Sequence, residues 1–216
     1  LRSSQETMPT NLDNLAVLSV SNLSDNILDI KKKLADSLKR LEDRILIQKL
    51  GDNYRFLTDE EQDINREINS QTFDTNDIAA TLGEVIRGTI DSKYKFSNGH
   101  VFSVDLFMDD NKINGGTNEL GLKFTSADLQ AVQSESIRHN TMAFVVTPLS
   151  IDLRNDIVTA VQVEKYIRNQ AGIKNDPERE KIIAARRTEM EGLKEKIAAD
   201  FADVIRSAAV VINGTE

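Results

Sequence analysis

The sequence contains no cysteine among its 216 residues, which excludes disulfide bonds, thiolate nucleophiles and cysteine-ligated zinc sites. It has no apolar run approaching the roughly 18 residues that are needed to cross a bilayer. Residues 1–10 lack the basic start and the apolar stretch of a secretory signal. We therefore expect a cytoplasmic protein that makes no contact with a membrane.

A phosphate-binding loop is also absent. The Walker A motif needs a glycine-rich turn ending in Gly-Lys-Ser/Thr, so that backbone N–H groups and one lysine meet the phosphates. The nearest glycine pair, Gly115-Gly116, is followed by Thr117-Asn118 and has no lysine, which favours a turn. The two histidines, His100 and His139, have no second ligand or base at helical spacing. We predict no catalytic residue and no cofactor here, although a Ser-His-Asp triad assembled in space stays an open alternative.

One acidic run resembles the first half of a calcium-binding loop, Asp-Asp-Asn-Lys-Ile-Asn-Gly at 109–115. Calcium loops place oxygen ligands at alternate positions. Counting from Asp109 puts an isoleucine at a ligand position, and counting from Asp110 puts a lysine there. We therefore predict a solvated loop between strands. The alternative is a metal-dependent enzyme that uses Asp105, Asp109 and Asp110.

The formal net charge is −8, so any contact with nucleic acid must come from a local basic patch. Between residues 27 and 57 eight basic residues outnumber five acidic ones. The candidate nucleic-acid-binding residues are Lys31, Lys32, Lys33, Lys39, Arg40, Arg44, Lys49 and Arg55. A positive face favours phosphate binding because it releases condensed counterions. The alternatives are a solvated helix face with i,i+4 pairs such as Asp36 with Arg40, and docking on an acidic protein surface.

Residues 9–57 are predicted to form a winged-helix-like module. Pro9 opens a short helix, and Ser24 and Asp25 are candidate caps of a longer one. Apolar residues recur along the longer helix at spacings of three or four, namely Ile27, Ile30, Leu34, Leu38, Leu41 and Ile45. Two β-prone runs then flank a Gly-Asp-Asn turn at 51–53, which predicts a hairpin. Helices followed by a two-stranded wing are typical of winged-helix modules.

Residues 58–92 are predicted to form an acidic helical connector, with nine acidic and two basic side chains. Thr58 and Glu61 have the spacing of a capping box, and a second helix is expected at about 75–89. Residues 93–174 predict an α/β region. It contains a hairpin around Asn98-Gly99, strands at 121–124 and 142–146, and helices capped by Ser126 and Ser150. The second of these helices is expected to end near Gly172.

Residues 175–213 are predicted to form one long C-terminal helix. Asp176 is its expected cap and Pro177 its first helical position. The apolar positions on one face are Met190, Leu193, Ile197, Phe201, Val204, Ala208 and Val211, so the helix is expected to continue to about Ile212. Such a helix can pack along the α/β region or pair with another chain. The predicted fold class is α+β.

Several stretches of the sequence resemble a known family. They are Ser21–Asp25, Leu46–Thr58, Met142–Pro148, Asp152–Arg154 and Glu164–Arg168. They are similar to the region that follows the P-loop domain in BrxC/PglY proteins, the large P-loop ATPases of bacteriophage exclusion (BREX) systems. The resemblance implies a fragment of a bacterial or archaeal phage-defence protein, assembly with other BREX subunits, and ATP and magnesium bound by another part of the parent chain.

From these features we expect a non-catalytic interaction module that docks DNA or partner subunits, with a possible oligomer through its C-terminal helix. One alternative is a stand-alone winged-helix transcription regulator, which predicts a symmetric dimer and a palindromic DNA site. The second alternative is the metal-dependent enzyme described above.

Overall fold

The computed structural model describes residues 8–22, 26–97, 99–114, 117–171 and 176–216. The chain divides into two compact units, with the division between Ser70 and Gln71. The boundary falls inside the predicted connector at 58–92, so its two helices belong to different units. The reason is that apolar residues of the second helix, such as Leu82 and Ile86, are fully buried in the core of the second unit.

The first unit contains three helices and one hairpin among its described residues. They are α1 (Leu12–Leu18), α2 (Ile27–Asp43), β1 (Ile47–Leu50), β2 (Asn53–Phe56) and α3 (Asp59–Asn69). The strands β1 and β2 pair antiparallel, as expected from the sequence. Gly51 in their turn has φ +58°, a left-handed conformation that glycine adopts without strain.

The ends of these helices follow local capping chemistry. The capping box predicted at α3 is confirmed, since the Glu61 N–H donates to the Thr58 hydroxyl (3.2 Å) and the Thr58 N–H donates to the Glu61 carboxylate (2.8 Å). The prediction that Pro9 opens the first helix is wrong. Asn11 caps α1 instead, because its side chain accepts the Asn14 N–H at 2.9 Å.

The start and the end of α2 differ from the sequence prediction. Ser24 and Asp25 lie outside the described residues, and the cap at the start of the helix is Asn26, whose side chain accepts the Leu28 N–H. The helix ends at Asp43, before Ile45. Ile45 has φ +59°, a rare conformation for a β-branched residue, and it leads the chain into β1.

The second unit consists of a mixed sheet and four helices among its described residues. They are α4 (Thr75–Thr89), β3 (Lys93–Lys95), β4 (Val101–Met108), β5 (Asn111–Lys112), β6 (Leu120–Thr125), α5 (Leu129–Ser136), β7 (Met142–Val146), α6 (Ile151–Gln170), α7 (Pro177–Arg206) and β8 (Ala209–Val211). The strand order is β3-β4-β6-β7-β8, with β5 paired to β4. The pairs β4–β6 and β6–β7 are parallel and the others antiparallel. The α+β class is therefore as predicted.

Helices cover both faces of this sheet. On one face the sheet residues Leu106, Met108 and Phe124 pack in a core with residues of α4, α6 and α7, among them Ile157 and Phe201. On the other face α5 contributes Val132, which packs with residues of β7 and β8. In the described part of the chain no helix, α7 included, combines the length and apolar character needed to cross a membrane.

The C-terminal helix is shorter than predicted. It starts at Pro177 with Asp176 as its cap, as expected, but it ends at Arg206 rather than near Ile212. Residues 209–211 form β8, which pairs antiparallel with β7. The extended conformation is favoured because it buries Val211 completely against the α5 face of the sheet while completing backbone hydrogen bonds with β7.

The caps of α5 and α6 agree only in part with the sequence prediction. Ser150 caps α6 as predicted, by accepting the Leu153 N–H. The cap of α5 is Asp128 rather than Ser126, because the Asp128 carboxylate accepts the Ala131 N–H at 2.9 Å. Asn98, Gly115-Gly116 and Gly172 lie outside the described residues.

Candidate functional site

Five of the eight predicted basic residues form one exposed row along α2 and at its C-cap residue, Arg44; this row is here called the α2 basic surface. They are Lys32, Lys33, Lys39, Arg40 and Arg44. At 100° per residue they fall within about 140° of the helix circumference. The opposite side of the helix carries its apolar residues, with Leu38 buried. The α2 basic surface therefore faces away from the apolar side of the unit.

The charges of the α2 basic surface are not neutralised by internal ion pairs. None of the five has a carboxylate within ion-pair distance in the described part of the chain. Arg40 donates to the Ser37 hydroxyl at 3.1 Å, and the i,i+4 pair expected between Asp36 and Arg40 does not form. Asp29, Asp36 and Asp43 are exposed on the same side of the helix, so the surface has mixed charge with cations in excess.

Arg55, the sixth predicted residue, is held inside the first unit. Only 19% of its side chain is exposed, and it donates to Glu61 at 2.6 Å and to Gln48 at 3.0 Å. The two carboxylate oxygens of Glu61 thus serve different elements, one bonded to Arg55 and the other to the backbone of Thr58. Arg55 therefore ties the hairpin to the start of α3 and is not directed to solvent.

The remaining two residues have intermediate environments. Lys31 forms an ion pair of 2.7 Å with Asp13 of α1, and both side chains are accessible to solvent. Lys49 lies on the hairpin with its ammonium 5.9 Å from the centre of the Tyr54 ring, and it is exposed. Lys49 is thus an exposed cation of the hairpin, whereas the charge of Lys31 is offset by its acid partner.

The three aspartates of the metal alternative have different partners. Asp105 is buried on β4 and accepts hydrogen bonds from Lys112 and from the Asn118 side chain at 2.6 Å. The hydrogen bond from Lys112 holds the pKa of the Asp105 carboxyl below its ordinary value, against the opposing effect of desolvation. Asp105 is therefore a charged anchor for the segment that follows β5.

Asp109 and Asp110 form the two-residue turn between β4 and β5, but the loop predicted over 109–115 is shorter than expected, because Asn111 and Lys112 pair with β4 as strand β5. Asp109 has φ +48° and accepts from the Thr125 hydroxyl at 2.8 Å, while the side chain of Asp110 is 97% exposed. Over the described ranges no group of three or more acidic or histidine side chains could hold a metal ion. The geometry thus gives no support to a calcium or catalytic metal site at Asp105, Asp109 and Asp110.

A buried lysine on β6 was not singled out by sequence reasoning. Lys123 is 9% exposed, and its ammonium lies 2.9 Å from both Asp110 and Glu135 and 5.8 Å from the Phe144 ring centre. Burial lowers the pKa of Lys123, but the hydrogen bonds and charges of Glu135 and Asp110 outweigh it and raise the pKa. The sequence signal for it is the run Leu-Gly-Leu-Lys-Phe at 120–124, in which a single lysine stands within a strand of mostly apolar residues. Lys123 links α5 to the sheet and to the β4–β5 turn.

The hairpin of β3 and β4 exposes aromatic side chains, which the sequence prediction of the hairpin did not anticipate. Tyr94 is 61% exposed, Phe96 50% and Phe102 45%. His100 is exposed in the same hairpin, and His139 lies near the end of α5 with its ring 6.3 Å from that of Phe144. The two histidines therefore lie in different parts of the second unit, His100 in the hairpin and His139 near the end of α5.

Residues 71–216 match a known protein family, described as "BREX ATP-binding protein BrxC 4th domain with six-stranded beta sheet". The match begins at the same residue as the second unit, and that unit contains a sheet of six strands. Among solved structures there is no significant match to this chain. The resemblance found in the sequence is thereby confirmed, and the chain belongs to the BrxC family of BREX phage-defence proteins through the fourth domain of that family.

Proposed function

We propose that this chain is a non-catalytic interaction module of a BREX-type P-loop ATPase. In this proposal ATP and magnesium are bound by another part of the parent protein, and the two units described here dock macromolecules. Membership of the BrxC family supports the phage-defence context and contact with other subunits. Among the aspartates of the metal alternative, Asp105 is engaged in structural contacts with Lys112 and Asn118.

We propose duplex DNA as the ligand of the first unit. The observation that carries this proposal is the α2 basic surface, whose five cations are exposed and have no internal acid partner. Cations that are not neutralised within the fold can contact phosphates and release counterions. The hairpin β1–β2 follows α2 directly and carries the exposed Lys49, so it is placed in sequence as a wing would be.

The proposal is tested by fluorescence anisotropy with a labelled DNA duplex at low salt. In the test variant, Lys32, Lys33, Lys39, Arg40 and Arg44 are all replaced by glutamine. The control variant removes five exposed cations of the second unit by the same replacement, at Arg138, Arg154, Arg168, Lys181 and Arg187. The α2 variant is expected to lose most of the affinity, while the control, with the same net charge, keeps most of it.

Two results would contradict DNA docking through α2. One is the absence of binding by the unmodified chain at low salt. The other is an equal loss of affinity in both variants, because equal losses would reflect net charge rather than a specific surface.

The second proposed ligand class is a partner subunit. It is favoured by the exposed aromatic hairpin of the second unit. The stand-alone regulator with a dimer through the C-terminal helix has less support, because α7 buries Ile197 and Phe201 in the core of its own unit. Light scattering on the purified chain tests this point, and a stable dimer lost on mutation of exposed α7 residues would revive the regulator.

A further inference from the structure

The β3–β4 hairpin projects beyond the rest of the sheet. The pairing of β6 with β4 begins only at Val104, so residues 101–103 of β4 pair with β3 alone. Every described residue from 93 to 103 is exposed. This segment is called the β3–β4 ribbon below. It is a two-stranded element with one edge formed by β3 and with both faces open to solvent.

The two faces of the ribbon differ in chemistry. Tyr94 and Phe102 are cross-strand partners, and Phe96 lies on the same side. Their rings contact edge to face, with centroids 5.9 Å apart for Tyr94–Phe96 and 6.4 Å apart for Phe96–Phe102. Lys93 and Lys95 alternate with these aromatics and therefore lie on the opposite face. One face is thus aromatic, and the other carries the two lysines beside their cross-strand partners Ser103 and Val101.

The outer edge of β3 has backbone groups that point away from β4. The Phe96 N–H donates to the His100 carbonyl and the Val104 N–H donates to the Ser92 carbonyl. Because this pattern alternates along an antiparallel pair, Lys93 and Lys95 direct their backbone groups outwards. The Lys93 N–H is taken by Asp91 at 2.8 Å. In the described part of the chain β3 pairs with β4 alone, so this edge can accept another strand.

We infer that the β3–β4 ribbon binds an extended segment of a partner protein in which apolar and acidic residues alternate. The inference rests on the proposed docking function and names its partner class. The segment adds as a strand to the edge of β3 and hydrogen-bonds with the outward backbone groups. Its apolar side chains then lie beside Tyr94 and Phe96, and its acidic side chains lie beside Lys93 and Lys95.

Charge placement decides between this partner and two others. A second copy pairing through β3 would set Lys93 and Lys95 against the same lysines, and like charges across an edge oppose such pairing. A nucleic-acid strand that stacks its bases on Tyr94 and Phe96 needs cations on the same face for its phosphates. The lysines are on the other face, which suits a polypeptide strand because its side chains also alternate.

The test uses labelled synthetic peptides and the complete 216-residue chain. One peptide alternates valine with glutamate, a second alternates valine with lysine, and a third is a scrambled form of the first. Fluorescence anisotropy is expected to show binding of the glutamate peptide, and an affinity for the other two peptides that is lower by about tenfold or more.

The variant Lys95→Pro removes an outward N–H from an edge position that tolerates proline, so it should block strand addition while the hairpin is kept.

A charge-reversal variant shows whether loss of binding reflects misfolding. Replacing Lys93→Glu and Lys95→Glu together should reverse the preference, so that the lysine peptide binds and the glutamate peptide does not. Absence of peptide binding, equal binding of all peptides, or unchanged binding by the reversed variant would overturn the inference. Dimerisation of the chain through β3, or binding of an oligothymidine that is lost in Tyr94→Ser, would overturn it in favour of the other occupants.

The outcome is separate from that of the DNA proposal. The ribbon variants are expected to bind duplex DNA like the unmodified chain, and the five-site α2 variant is expected to bind the glutamate peptide normally. Failure of the peptide arm alone removes the ribbon inference, whereas failure of the DNA arm alone removes the α2 proposal.

Discussion

The basic side chains of the α2 surface and of the second unit's sheet differ in what surrounds them. On α2, Lys32 and Lys33 are exposed and have no acid partner in the described structure. On the sheet, Lys123 is nearly buried and has two acid partners. Removing a buried, paired cation destabilises the fold because its partner keeps an uncompensated charge. An exposed unpaired cation contributes little to folding and is available for a ligand. The fold thus separates buried, paired cations from exposed cations that a ligand can reach.

The largest expected effect is on Lys123. Replacing it with alanine leaves Glu135 without its partner and removes packing beneath Phe144, so the free energy of unfolding should fall by about 1–3 kcal/mol. Lys123→Met keeps most of the aliphatic packing and should lose less. Urea denaturation measures both variants, and a change within about 0.5 kcal/mol for Lys123→Ala would show that the pairs are too solvated to matter.

Arg55 gives the same contrast within the first unit, because it lies in the same unit as the α2 basic surface. It belongs to the predicted basic patch, but Arg55→Ala should lower the free energy of unfolding by about 1–2 kcal/mol, because Glu61 would keep a buried charge without its cation. Lys39→Ala on α2 is the matched control and should change stability by less than about 0.5 kcal/mol. Similar effects of the two variants would contradict the division into structural and exposed cations.

The pH dependence of stability tests the paired carboxylates. The hydrogen bond from Lys112 lowers the pKa of Asp105 below its ordinary value of 3.8. A carboxyl with a lowered folded-state pKa contributes stability above its unfolded-state pKa, and this contribution is lost as the pH falls through the folded-state value. Asp105→Asn should therefore lose less stability than the unmodified chain when the pH falls below about 4. Asp52→Asn, in the exposed β1–β2 turn, is the control for the loss of one carboxylate.

The smallest expected effect on folding belongs to the five-site α2 variant. Its melting temperature should stay within a few degrees of that of the unmodified chain, since exposed charges on a helix surface contribute little. Differential scanning fluorimetry checks this, and a large drop in melting temperature would mean that the α2 basic surface is part of the fold.

Local features of the fold were predictable from sequence because their causes are local. The capping box at Thr58 and Glu61, the turn at Gly51 and the proline start of α7 depend only on neighbouring residues. Strand β8 was missed, because Ala208 and Val211 continue the three–four apolar spacing of α7 and so favour a longer helix. Only pairing with β7, more than sixty residues earlier, makes residues 209–211 a strand.

The same distinction applies to the candidate sites. The row of cations on α2 could be predicted because helical spacing places Lys32, Lys39 and Arg40 on one side. The burial of Arg55 could not, because it depends on how the hairpin meets α3. The exposure of Tyr94 and Phe96 could not be predicted either, since alternating apolar residues in a hairpin are typical of a covered face.

The most direct test of docking through α2 is the salt dependence of DNA binding, measured on the unmodified chain and the five-site α2 variant. The slope of log K against log salt should become shallower by about 0.9 for each phosphate contact removed, while the second-unit control variant keeps the original slope. The same slope in the unmodified chain and the α2 variant would contradict the claim that these exposed cations are the docking surface.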